Sequence, residues 1–190
     1  GLGYGSLPKG LVTFHAYENG ARKAVEEHLV EGAMYARSGD EVYIHFTVSE
    51  EHMGGFWDVL NHGTNPFMAS HSCARALCDH RRNLTDEQMK ALANKGGIVG
   101  VNFENSFLRK GSEMTDVSDI IWHMKHMVNV GGIDMVALGS DFDGICDNLK
   151  FKDYAGLPQV VDAIEKEFGA AACDKICHGN ALRLFKEVIG

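Results

Sequence analysis

The chain has three prolines, two tryptophans and no apolar run near the roughly 18 residues of a membrane span. With 45% hydrophobic and 23% charged residues, so little proline excludes a disordered chain. Basic residues are in deficit: 18 Lys and Arg against 26 Asp and Glu leave a net charge of -8. A phosphate-binding surface needs the opposite balance, so nucleic acid is excluded as a partner. No charged-then-apolar opening reads as a signal peptide, and no apolar tail marks a lipid anchor. The sequence as given therefore reads as cytoplasmic, with no membrane segment. Paired cysteine motifs are missing too. Cys73, Cys78, Cys146, Cys173 and Cys177 are odd in number and lack a compact framework, as free buried thiols would. A zinc site from Cys73, Cys78 and His80 fits no paired-cysteine spacing. No internal repeat is visible.

What the chain does contain is organised around two buried strands. Pro66, Phe67, Met68 and Ala69 form an apolar run that ends in Ser70-His71-Ser72, and Arg82-Asn83 follows eleven residues past His71. An imidazole at such a point sits where a parallel-barrel strand delivers its chemistry, the carboxyl end. Met135 to Leu138 repeats the form and runs into Gly139-Ser140-Asp141-Phe142-Asp143-Gly144. Histidine, arginine and aspartate at strand ends point to a metal-assisted hydrolase.

Along the chain, residues 1 to 20 carry Gly1, Gly3, Gly5, Gly10 and Pro8 and read as loop. Ala21 to Ala36 reads as a helix and Glu41 to Phe46 as a strand. Phe56 to His62 shows a helical stripe. A helix after Thr85 is well marked: Thr85 caps it, Gln88 completes a capping box, Leu84 can staple onto Met89, and Gly96 stops it. Ile98 to Phe103 is a strand interrupted only by Gly100 and Asn102, and Thr115 to Val130 an amphipathic helix ended by Gly131-Gly132. Residues 145 to 157 read as a long loop over the site. Pro158 to Phe168 and Cys173 to Ile189 supply two last helices. Strand and helix alternate as in parallel α/β units, about four strands in all.

Four blocks, in order, resemble the membrane (renal) dipeptidase family of zinc peptidases. They are Ser70-His71-Ser72, then Cys78 to Glu87, then Gly96 to Phe103, then Gly139 to Gly144. The resemblance runs from near Phe56 to the C-terminus and leaves about the first 55 residues unmatched. It implies an α/β fold: the C-terminal half of a TIM-like (β/α)8 barrel of the metal-dependent hydrolase type. Such a barrel usually needs roughly 250 residues, and the chain opens on glycine, so an incomplete barrel is expected. The division follows: one domain over 1–190, with an atypical segment 1–55 and a dipeptidase-like portion 56–190.

Alone, His71 reads equally as a zinc ligand or as a structural histidine held between Ser70 and Ser72. The resemblance implies the ligand. A guanidinium grips a carboxylate with two parallel hydrogen bonds, and the resemblance implies that Arg82, ahead of Arg81, holds the free carboxylate of a dipeptide. It also implies that Asp141 assists proton transfer to the leaving amine, whereas position alone leaves it a turn aspartate. An EF-hand reading of Asp141 to Gly144 fails, because the glycine comes two positions early. His123 and His126 lie one helical turn apart, but on a helix expected outside the barrel, and read as structural. His178 and Asn180 also read as structural, with Asn180 fixing the last helix.

The family's site holds two zinc ions, one of them bound partly through an N-terminal His-x-Asp strand. No His-x-Asp occurs in this chain. A further histidine is implied twenty-one residues before His71, and Glu50 stands there. Glutamate can bind zinc. His45, and after it His52, are the nearby alternatives, and fewer than two zinc ions are expected here. The implied function is zinc-dependent hydrolysis of dipeptides to free amino acids. Two alternatives stand beside it. One is a non-catalytic fragment that associates with a missing half or another copy as a homo-oligomer. The other is a barrel amidohydrolase acting on a cyclic amide or an acylated amino acid.

Overall fold

The computed structural model describes residues 54–189 apart from 112–113, 146–149 and 152, together with the backbone of three strands farther upstream. These upstream strands are β1 (Phe14–Tyr17), β2 (Ala33–Ser38) and β3 (Glu41–Phe46). Downstream come α1 (Gly54–His62), β4 (Met68–Ser72), α2 (Asp86–Asn94), β5 (Ile98–Val101) and the single turn α3 (Asn105–Leu108). Next are α4 (Val117–Gly131), β6 (Val136–Leu138), α5 (Leu157–Phe168), α6 (Ala170–Asp174) and α7 (Asn180–Ile189).

The strands form one sheet in the order β2-β3-β1-β4-β5-β6. β4, β5 and β6 run parallel, with α2 and α4 as their connections. This is the α/β alternation that the sequence predicts. The strand expected at 41–46 is present, but it pairs antiparallel with β1 and β2, so the described parallel strands number three rather than four. Two other expectations change with it. Ala33 to Ala36, read as the end of a helix, belongs to β2, and Phe14 to Tyr17, read as loop, is β1. Ser38 pairs with Glu41 at one end of the antiparallel β2–β3 pair. Cross-strand pairing thus overrides the helix preference of Ala33, Met34 and Arg37.

Alternation along the parallel strands gives each a two-faced environment. Val99, Val101 and Val136 point into the main core with Met89, Leu92, Ile120, Met124, Met127, Val160 and Ile164, so α2, α4 and α5 cover that face. Ile98 and Ala137 point the other way, where Ala181, Leu184 and Val188 of α7 pack on them beside Met68. Each fully buried large side chain contributes about 1.5–3 kcal/mol.

Helix ends follow their local chemistry. Thr85 caps α2 with the expected box to Gln88, and Leu84 and Met89 are buried in one cluster. α4 starts two residues later than expected: Asp116 caps it and closes a reciprocal box with Asp119. The last helical stretch begins earlier than expected, at Ala170, and widens to a π turn over Lys175–Gly179. Asn180 follows that turn and donates to the carbonyls of Ile133 and Val136, tying α7 to the entry of β6. The expected loop over 145–157 is partly outside the described residues. Within it Phe151 is buried and Tyr154–Gly156 forms a 3-10 turn. Among the described residues no helix is long and apolar enough to cross a membrane.

Candidate active site at the carboxyl edge of the parallel strands

β4 does not run straight to its end. Ala69 pairs with Val99 and Ser72 with Val101, so Ser70 and His71 together face the single residue Gly100. Such a bulge re-aims a side chain. Its room comes from two glycines: a β-carbon on Gly100 or on Gly139 would lie well under 3.0 Å from the Ser70 carbonyl oxygen. The sequence marks Gly100 as a strand interruption and Gly139 as the residue that follows the last strand, and the structure supplies the reason for both.

His71 leaves the bulge with its Nδ1 sharing a 2.8 Å hydrogen bond with Ser70 Oγ. Its Nε2 stands 4.0 Å from Oδ1 of Asp141, the residue that opens the turn after β6. Both side chains are about one-third exposed. Burial lowers the His71 pKa below the ordinary imidazole value, the Asp141 charge opposes that, and the Arg82 charge reinforces it. A neutral imidazole at the edge results.

Asp141 adopts φ +64°, the only left-handed non-glycine among the described residues. That conformation costs on the order of 1 kcal/mol. It is held by a turn in which Gly144 and Ile145 donate to the Asp141 carbonyl. It is also held by Asn102, whose Nδ2 donates to Asp141 Oδ2 at 3.1 Å. Sequence reading named Asn102 only as an interruption of a strand. Its polarity at a fully buried position was the available signal.

Arg82 reaches the same edge from the segment after β4. Asn83 anchors that segment: it accepts from Cys73 N–H at 3.0 Å and donates to the carbonyls of Cys78 and Phe107. Ser72 Oγ donates to the Arg82 carbonyl at 2.9 Å. The Arg82 guanidinium lies 4.8 Å from the centre of the Phe107 ring, which also stacks on His80. Burial works against the Arg82 charge, while Asp141 and Glu104 favour it. His71, Arg82 and Asp141 are thus close enough to act on one another's charges. An open cavity lined by Ser70, His71, Gly139, Asp141, Phe142 and Tyr154 lies beside them.

The upstream candidates are not brought to this edge by anything described. His45 lies in β3 opposite Met34 and its side chain is outside the description, as are Glu50 and His52. Among the described residues no three His, Cys, Asp or Glu side chains are grouped to hold a metal. The cysteines do not change this. Cys73 and Cys78 are free and buried, with their thiols turned to the carbonyls of Asn102 and Ser106, and burial raises both pKa values. His123 is structural: its Nδ1 accepts from Ala74 N–H at 3.1 Å, and its Nε2–H donates to the Leu108 carbonyl at 2.8 Å. His126 pairs with Asp86 at 2.7 Å.

Comparison with known proteins places these residues in a wider set. The family described as membrane dipeptidase (peptidase family M19) matches residues 46–189, beginning upstream of Phe56 and taking in Glu50 but not His45. A domain of unknown function, DUF4301, matches residues 1–79. An uncharacterised protein from the pqqA 5′ region of Klebsiella pneumoniae is 42% identical over 145 residues, 74% of this chain and 54% of that protein. An uncharacterised dipeptidase of Schizosaccharomyces pombe is 35% identical over 134 residues, 68% of this chain and 32% of that one. The chain therefore spans about half or less of the length of these relatives. Among solved structures, a metallopeptidase from Rhodobacter sphaeroides liganded with a phosphinate mimic of the dipeptide L-Ala-D-Ala superposes with a TM-score of 0.67. It shares 34% identity, covering 72% of this chain and 40% of that one.

Proposed function

Because the chain belongs to the membrane dipeptidase family, peptidase family M19, we propose that it carries the carboxyl-edge half of a metal-dependent dipeptidase site, on part of a TIM-like barrel. The observation that carries this reading is the convergence of His71, Arg82 and Asp141 at the end of β4 and β6. The Arg82 fork, stiffened by its packing on Phe107, suits the free carboxylate of a dipeptide. Asp141 presents Oδ1 toward the same edge and moves the proton needed by the departing amine. With its proton on Nδ1, facing Ser70, His71 offers the Nε2 lone pair to a metal ion.

One imidazole does not make a three- or four-ligand zinc site, and the described residues alone do not fit that ion. The proposal is that Glu50, inside the family match, or His45 supplies a second donor. The same observation favours a second reading, in which the chain is a non-catalytic piece of a dipeptidase. A dipeptide and its C-terminal amide, assayed on zinc-reconstituted protein, separate the possibilities. Preference for the dipeptide supports the first reading, equal turnover supports an amidohydrolase for cyclic or acylated substrates, and no turnover with no bound zinc supports the second.

A further inference from the structure

Asn102 is fully buried at the end of β5, yet its side chain spans the site. Oδ1 accepts the Glu104 backbone N–H at 2.6 Å, while Nδ2 donates to Asp141 Oδ2 at 3.1 Å. A backbone N–H can only donate and an ionised carboxylate only accept, so the amide can sit one way round. The backbone of Asn102 is tied as firmly: its N–H donates to the Ser72 carbonyl at 3.2 Å, and its own carbonyl takes the Cys73 thiol. The residue is therefore a rigid strut fixed to β4 and to the start of α3, with its Nδ2 group left to donate. That donor meets one oxygen of a carboxylate mounted on a left-handed backbone and leaves the other, Oδ1, facing His71.

We propose that Asn102 is a positioning residue of the reaction, fixing the orientation in which the Asp141 carboxylate faces the substrate. This rests on the dipeptidase reading for its chemistry, but its geometry stands apart from it. Without Asn102 the Asp141 side chain is free to swing away from this orientation, and the fraction of time that a carboxylate oxygen points to the edge falls. Substrate grip by Arg82, which Asn102 does not touch, is left intact.

The test compares Asn102→Ala with Asn180→Ala, another buried asparagine whose two hydrogen bonds lie away from the site. Steady-state kinetics on a dipeptide, zinc content and a crystal structure of each variant are the readouts. Expected for Asn102→Ala is a fall in kcat of about 10- to 100-fold with KM and zinc content unchanged. Asn180→Ala should lose thermal stability and keep kcat. Equal kcat losses in both variants, or a loss in KM alone for Asn102→Ala, would overturn the proposal. If native protein turns over no dipeptide, the dipeptidase reading has failed and the crystal structures decide the rest. A rotated Asp141 carboxylate in Asn102→Ala upholds the strut, and an unmoved one refutes it.

Discussion

The carbonyl oxygen of Ser70 occupies the space that a side chain on Gly139 would need. The bulge that aims His71 depends on that vacancy. Gly139→Ala should force backbone against a new methyl group and cost about 1–3 kcal/mol. Chemical denaturation measures the loss. Because the strain falls on Ser70, the variant should also shift the His71 imidazole resonances by NMR, while Gly132→Ala, strained only by its own φ of +86° and meeting no neighbour, leaves them in place.

His123 holds Ala74 and Leu108 together by one accepted and one donated hydrogen bond. His123→Ala leaves a buried donor and a buried acceptor without partners, a loss of about 2–4 kcal/mol. The pH dependence has a definite sign. Burial lowers the His123 pKa in the fold beneath its ordinary 6.5, so below that pH the unfolded chain takes up a proton that the folded chain refuses. Its contribution is complete above pH 6.5 and is lost progressively as pH falls below that value. Urea denaturation at a series of pH values should show a shallower slope below 6.5 in His123→Gln than in the native chain.

How much of this could be read from residues alone divides by range. The Thr85–Gln88 box and the stripe of Ile120, Met124 and Met127 are encoded within a few turns, and they form where the sequence predicts. Even so, α4 starts two residues past the expected Thr115, because Asp116 caps it and Asp119 stands where it can close the box. Of the antiparallel strands, β3 was read with its bounds, whereas β1 and β2 were less legible. β1 pairs with β3 and β4, far along the chain, and Ala33 to Ala36 carries a helix preference that pairing with β3 overrides. At the site, His71, Arg82 and Asp141 were identified by likeness to a family. The Ser70 bulge and the Asn102 strut are set by what three neighbouring strands leave free, a property no single segment carries.

Arg82 gives a prediction that discriminates among substrates. A charge-assisted pair to a carboxylate is worth roughly 1.5–3 kcal/mol. Arg82→Ala should raise KM for a dipeptide about 10- to 100-fold and leave KM for the C-terminal amide nearly unchanged. Equal increases for both would remove Arg82 from the role of carboxylate clamp.

The most direct measurement is zinc per chain, taken on native and His71→Ala protein after metal reconstitution, with dipeptide hydrolysis assayed on the same samples. The account predicts bound zinc and turnover in the native chain and the loss of both in His71→Ala. Zinc content and turnover unchanged by the substitution would contradict it.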